Sequence, residues 1–423
     1  MKILKSEDHD SLESLKAALG WDFWLDEGPV EEVRRIIARV REDGDAALSA
    51  LTREFDGVEI APSMLRVSEK DLAAAGDKVT REFADAAKAA VRSITAFHRH
   101  QAWESQFWES DEGARIGQVI RPLRRIGAYV PGGGGSYPST AMMAIIPAKV
   151  AGVHEIAVCV PPAKDGEISP HTLYVLDLLG VGEVYRVGGA QAIAALALGT
   201  QTIEAVDKVV GPGNMYVTLA KKEVLGRVGI DMLAGPSELV VLSDGEGDAE
   251  IIAMEMVAQM EHGAGARACI VTSDESQLGR VGQVLPRLHA DTPPGVPERA
   301  MGVLVRDIEE GARLVDLLAP EHLLLSTADV TATLPKVHNA SAVFLGTESP
   351  VALGDYAVGV NHVLPTKGAA RYSSPLGVYD FVKRSNVVFS NPKANRTLGP
   401  VIEAIAMVEG FVNHAEAMRK HLH

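Results

Sequence analysis

The sequence predicts an α/β protein with two parallel, doubly wound sheets and small helical arms at both ends. Three observations carry this reading. Short apolar runs of strand length alternate with amphipathic helical stretches through most of the chain. Glycine sits where a strand hands over to a helix, as in Gly188-Gly189 and Gly211-Pro212-Gly213. The alternation comes as two successive sets rather than one.

Residues 1 to about 24 read as an irregular arm with one helical piece. Val33, Ile36, Ile37, Val40, Ala47, Leu48 and Leu51 then recur at helical spacing between Val30 and Phe55. Residues 69–100 form a second helical region, with Ser68 placed as its N-cap. Residues 117–130 read as strands, and a four-glycine loop, Gly132 to Gly135, follows. The most apolar stretch, 141–153, is interrupted by Pro147 and Lys149 and is too short to span a bilayer. The first set then runs strand 156–160, helix 170–179, strand 184–187, helix 190–198, strand 208–210, helix 216–225 and strand 239–242. The second runs helix 249–262, strand 268–272, helix 275–287, strand 302–305, helix 307–318 and strand 322–326. From Ser374 the chain reads as helical arms with little strand.

Composition narrows the function. A length of 423 residues suits roughly two or three domains, and 47% apolar with 23% charged residues is ordinary globular protein. A net charge of −15 argues against a nucleic-acid surface and against anionic membranes. The opening MKILKSEDHD turns acidic where an export signal is apolar, so a cytoplasmic location is expected. Two cysteines in so long a chain fit a reducing compartment. Cys159 and Cys269 both lie in apolar strand runs and read as buried small hydrophobes.

The polar constellations stand out against this background. Gln259 and His262 share one face at the end of an apolar helix, and Glu255 precedes Gln259 on the same stripe. They read either as donors to one divalent ion or as a solvated helix end. Glu321 and His322 follow Pro320 at the start of an apolar strand, as an acid–base pair or an exposed loop pair. Asp355 is a hard-ligand candidate, and His362 reads as a ligand or as a hydrogen-bonded core histidine. Glu409 and His414 lie on the terminal helical arm. His98, His154, His289 and His338 stand in no comparable cluster and read as structural, with His421 and His423 at a frayed end. The glycine turns before 190–198 and 216–225 do not match G-x-G-x-x-G. With the tetraglycine loop and Tyr129 they suggest a variant dinucleotide site, with Gln191 and Asn214 as amide donors.

The segments YVPGGGGSYPST, IPAKVAGV, VGGAQAIAALALGT, VDKVVGPGNMYVT, GIDMLAGPSE, AQMEH, APEHL, LGDYAVGVNHVLPT and RYSSPLGVYDF occur in this order. By them the chain closely resembles the histidinol dehydrogenase family from about Val30 to His414. The resemblance implies an NAD-dependent, four-electron oxidation of L-histidinol to L-histidine through bound L-histidinaldehyde, with Zn²⁺ anchoring the substrate. It places Gln259, His262, Asp355 and His414 on the zinc ligands and Glu321 and His322 on the catalytic pair. Tyr129, Gln191 and Asn214 fall on NAD contacts. Ser237 and Glu409 fall on substrate contacts, beside the four metal ligands and His322.

A paralogue oxidising another polar alcohol is the alternative, disfavoured by Glu409, His414 and Ser237. A metal-dependent hydrolase is a second alternative, and it leaves both glycine loops without a ligand. Gly263-Ala264-Gly265 and Leu324 depart from the usual Asp-Pro and Glu of the family, and neither touches a site position. Laid over the strand–helix rhythm, the resemblance divides the chain into four parts. Residues 1–24 are an N-terminal arm. Residues 25–128 with 237–375 form a Rossmann-like domain carrying the metal and catalytic residues. Residues 129–236 form a Rossmann-like NAD-binding domain. Residues 376–423 are a C-terminal helical arm, expected to be exchanged in a homodimer so that each active site is shared.

Overall fold

In the computed structural model the described residues are 1–21, 28–132, 135–263, 265–288 and 299–422. His289, His423 and two of the four loop glycines lie outside them. Two parallel sheets organise the chain. The first is six-stranded, in the order β1 (Lys2–Lys5), β11 (Ala300–Leu304), β10 (Arg267–Thr272), β9 (Glu238–Ser243), β12 (His322–Ser326), β13 (Ala342–Leu345). The second is five-stranded, in the order β6 (Glu183–Arg186), β5 (Glu155–Val160), β4 (Arg125–Tyr129), β7 (Lys208–Val210), β8 (Gly229–Ile230). Both have helices packed on each face, which explains why the middles of β9, β10 and β12 are continuously apolar rather than alternating. Cys159 and Cys269 sit fully buried in β5 and β10. Burial pushes both thiols up, Cys269 to about 12, which leaves them unreactive.

Three departures from the sequence reading concern partners, and two of them also the type of an element. The first is the N-terminal arm. Its first residues pair in register with β11 as an edge strand, and Leu15 and Leu19 of the helix Leu12–Leu19 are buried against the six-stranded sheet. The second is the grouping of residues 25–128. The helices Val30–Asp43 and Asp45–Phe55 bury Val33, Ile36, Leu48 and Leu51 in the core on one side of the five-stranded sheet, packing on the helices Gly189–Leu198 and Met215–Val224. The helix Arg81–Arg99 buries Ala87 and Ile94 in the core on that sheet's other side, packing on the helix Pro138–Ala151. An apolar stripe shows that a helix must be covered but not which sheet covers it. The third is the tail. Val382–Phe389 is a strand, β14, paired antiparallel with β3 (Arg115–Pro122), which also pairs with β2 (Gln106–Glu109).

Two further helices differ in extent. The 69–100 region breaks at Val79, and Thr80 caps the second helix by accepting from the Phe83 N–H at 3.2 Å. Pro138–Ala151 is one helix despite Pro147, with Thr140 through Ala148 buried. A helix apolar on all sides belongs in a core, and this one lies between the five-stranded sheet and the Arg81–Arg99 helix. Among the described residues no helix is long and apolar enough to cross a membrane.

Candidate active site

The carboxyl ends of the five-stranded sheet and the amino ends of the six-stranded sheet border one cavity of about 890 Å³. Pro131 follows β4 and Pro212 to Met215 follow β7, while Ser237 precedes β9 and Glu321 and His322 open β12. Parallel α/β sheets ordinarily bind ligands at carboxyl ends. Here only the second sheet follows that habit, and the catalytic candidates lie at the opposite end of the first.

Local sequence explains how each side chain arrives. The helix Ile308–Leu318 ends at Ala319, which takes φ +46°, a left-handed conformation unusual for a residue with a Cβ. Pro320 then directs the chain straight into β12, so Glu321 and His322 are buried at 6% and 3% exposure. The exposed-pair reading of these residues is therefore wrong. Glu321 Oε2 accepts from the Glu238 N–H at 2.8 Å, and the Ser237 side chain also hydrogen-bonds Glu321. Burial nevertheless holds the Glu321 carboxyl well above its ordinary range. His322 Nδ1 lies 3.5 Å from Glu321 Oε2, and its Nε2 lies 3.7 Å from Asp355 Oδ1. Burial, then the neighbouring His262, pushes the His322 imidazole down to about 3. The two shifts keep the imidazole neutral and raise the proton affinity of the carboxyl beside it, so this pair can exchange protons with a bound group at short range.

Gln259 is buried at 3% exposure near the end of the helix Ala249–Met260, and its Nε2 has no hydrogen-bond partner. His262 follows on the exposed turn, and Gly263 at φ +124° ends it. Asp355 comes from the short helix Val351–Tyr356, its carboxyl raised to about 6 by burial and then by Glu255. Gln259, His262 and Asp355 all line the cavity. His362 joins them, its Nδ1 donating to the Asp355 carbonyl at 2.8 Å, so both of its expected roles remain compatible with its place. Glu238, which the strand reading began one residue too late to include, is buried beside Glu321, and burial raises its carboxyl to about 7. Among the described residues no three His, Cys, Asp or Glu side chains gather as a ready metal site. The cavity brings together one amide, one imidazole and one carboxylate of the four expected ligands. Glu409 and His414 are exposed on the terminal hairpin and do not line the cavity of their own chain.

The three nucleotide candidates converge differently. Tyr129 is buried at the end of β4, its hydroxyl accepting from the Gly189 N–H at 3.2 Å, with burial raising it to about 12. Gln191, at 1% exposure, lies on the helix that begins at Gly189. Gly211 sits at φ +113°, and a Cβ there would meet the Tyr129 carbonyl oxygen at 2.1 Å, so only glycine fits. Asn214 caps the next helix through the Val217 N–H at 3.1 Å and rims the cavity. Tyr129 and Gln191 thus lie beneath the glycine turns, and Asn214 reaches the open space.

The structural histidines are placed as expected where they are described. His98 is buried with Nδ1 on the Ile94 carbonyl, and His338 Nδ1 lies 3.0 Å from Asp316. His322 has a measurable signature in metal-free protein. Its folded imidazole stays neutral down to about pH 3, whereas an unfolded one protonates near 6.5. Between those values the unfolded chain binds a proton that the folded chain refuses, so stability is lost as pH falls. His322→Asn is expected to remove this component and flatten the loss by about 1.4 kcal/mol per pH unit. Denaturant unfolding of both proteins between about pH 6 and about pH 4 reads it. Identical slopes would contradict a buried neutral His322.

Comparison with known proteins agrees along the whole chain. The family profile for histidinol dehydrogenase matches residues 26–422. Histidinol dehydrogenase of Pseudomonas syringae pv. tomato is 42% identical over 421 residues, covering 98% of this chain and 94% of the relative. That of Symbiobacterium thermophilum is 44% identical over 397 residues, covering 92% and 90%. The crystal structure of histidinol dehydrogenase from Elizabethkingia anophelis superposes with a TM-score of 0.94 at 33% identity, covering 100% of this chain and 98% of that one. With the fold matched throughout and the sequence shared well beyond the site, the chain belongs to the histidinol dehydrogenase family of oxidoreductases.

Proposed function

We propose that the chain carries out both oxidations from L-histidinol to L-histidine, the last two steps of histidine biosynthesis, with NAD⁺ as oxidant and zinc at the substrate. The observation that carries this reading is the burial of Glu321 and His322 together, facing Asp355 in a cavity also lined by Ser237, Gln259, His262 and Asn214. Gln259, His262 and Asp355 would hold the metal, with His414 of a second copy as fourth ligand. The donor set fits. An amide oxygen, imidazole and carboxylate suit Zn²⁺, and the buried Gln259 amide lines the cavity with its nitrogen unpartnered, so none of its donors holds it to the chain. When bound, zinc orients the substrate's imidazole and amine, and NAD⁺ accepts hydride. Tyr129, Gln191 and Asn214 would shape the dinucleotide site, and Ser237 with the partner's Glu409 would contact substrate.

His322 takes the alcohol proton. Its neutrality at physiological pH leaves a ring nitrogen free to accept, and the carboxyls of Glu321 and Asp355 beside the ring would stabilise the imidazolium that forms. Glu321 then activates the water that hydrates the aldehyde. The Glu238 N–H and Ser237 keep that carboxyl aimed while its burial keeps it basic. His322 takes the second hydroxyl proton from the hydrate. The enclosing cavity holds the aldehyde between the two steps.

A homodimer follows from the same reading. The terminal hairpin leaves Val401, Ile405, Phe411 and Val412 exposed, with Val408 at 90%, and β14 exposes Val388 and Phe389 at 72%. Apolar surface of that kind marks an interface, and the same hairpin carries His414 and Glu409, the proposed ligand and substrate contact that its own cavity lacks.

Mixing the protein with histidinol and excess NAD⁺ is expected to yield two NADH per histidinol with little free aldehyde. One NADH per histidinol with accumulating aldehyde would remove the second half-reaction. Glu321→Gln is expected to slow oxidation of added histidinaldehyde by about 10²–10⁴-fold while zinc content stays unchanged. A normal rate in that variant would remove Glu321 from water activation.

A further inference from the structure

Glu255 is left over from the chemistry above, although it shares the stripe of Gln259 and lines the cavity. Its contacts give it a task. The helix Val351–Tyr356, which carries Asp355, begins after Pro350, a residue with no side-chain acceptor to cap it. The Val351 N–H instead donates to Glu255 Oε2 at 3.1 Å, across a sequence separation of 96 residues. A carboxylate on the helix of Gln259 therefore caps the helix of Asp355. The far end of that helix is held by His362 on the Asp355 carbonyl. Its middle is seated by Gly354, where a Cβ would meet Phe344 Cζ at 2.8 Å.

We propose that Glu255 is a positioning residue for the metal-ligand set, fixing Asp355 relative to Gln259 and His262 by capping the helix that carries it. The inference rests on the zinc reading above. A ligand on a helix of six residues has little rigidity of its own, because so short a helix is not stable in isolation. Its position depends on what ties it to the body. Ligand sets prearranged by outer hydrogen bonds bind metal more tightly, and losing such a partner typically costs 10–100-fold in affinity.

Reach and charge separate cleanly here. Glu255→Gln loses the charge and keeps an acceptor at the same distance from the Val351 N–H. Glu255→Asp keeps the charge and withdraws the acceptor by one methylene. Zinc affinity is measured by competition with a chromophoric chelator in metal-stripped, full-length protein, with circular dichroism on each variant. Glu255→Asp is expected to bind zinc roughly 10–100-fold more weakly, and Glu255→Gln within roughly threefold of wild type. Wild-type affinity in Glu255→Asp, or a larger loss in Glu255→Gln than in Glu255→Asp, overturns the proposal. Absence of zinc binding in the wild-type chain overturns the metal reading, and this inference with it. Should Glu255→Asp fail to fold, Glu255→Gln alone decides, because a loss above tenfold in a folded protein is incompatible with capping as the role.

Discussion

Replacing His262 with Asn is expected to strip the proposed zinc site and end histidinol oxidation. The side chain stands on an exposed turn at the cavity wall, after the last residue of its helix. Little packing is lost, so the folded state should survive. What disappears is one of the three proposed ligands that the chain brings to its own cavity. With Gln259, Asp355 and the second copy's His414 remaining, the proposed set is incomplete, the substrate loses its anchor and kcat should fall by at least about 10³-fold, a barrier increase of about 4 kcal/mol. Elemental analysis should show zinc lost with activity, and circular dichroism an unchanged fold. A zinc-free His262→Asn protein of normal activity would exclude a catalytic metal at this site. Chelation of the wild type should reproduce the loss, and added Zn²⁺ should reverse it.

The second large effect is a recovery. His414→Ala and His262→Asn should each be inactive alone. Their co-refolded mixture should regain about a quarter of wild-type activity, since about half the dimers are mixed and each mixed dimer has one intact site. The intact site belongs to the His414→Ala body, which keeps Gln259, His262 and Asp355 and receives His414 from its partner. The other site is broken twice. His414 lies outside its own cavity, on a hairpin whose apolar residues face solvent in the single chain. No recovery, with mixed dimers verified by mass, would place all ligands within one chain and reject the exchange.

The proposed nucleotide site was only partly legible. Gly188-Gly189 and Gly211-Pro212-Gly213 mark where strands turn into helices, and they do so in the structure. Tyr129 ties both turns together, through its hydroxyl to Gly189, 60 residues away and after a strand two places along the sheet, and its carbonyl beside Gly211 after the neighbouring strand. No spacing rule reports it. The acid–base pair was more accessible, because Glu321 and His322 are neighbours in the chain and Pro320 precedes them. Their burial, which decides their proton affinities, comes from β9 and β13 pairing on either side of β12.

By itself the sequence determined most of the element types, the apolar character of the sheet strands, the inert setting of Cys159 and Cys269, and the residues with ligand or acid–base chemistry. These depend on side-chain identity and on spacings of two to four residues, which local periodicity encodes. Only the tertiary structure decided that residues 30–99 pack on the helices of the five-stranded sheet, that 382–389 is a strand on β3, and that Glu321 and His322 open at the amino end of their sheet. It also decided that Glu255 caps the helix of Asp355 and that His414 stands apart from its own cavity. Each of these is a choice of partner among distant apolar faces or polar groups, made by the packing of the whole chain, and a local pattern can state the need for a partner without naming it.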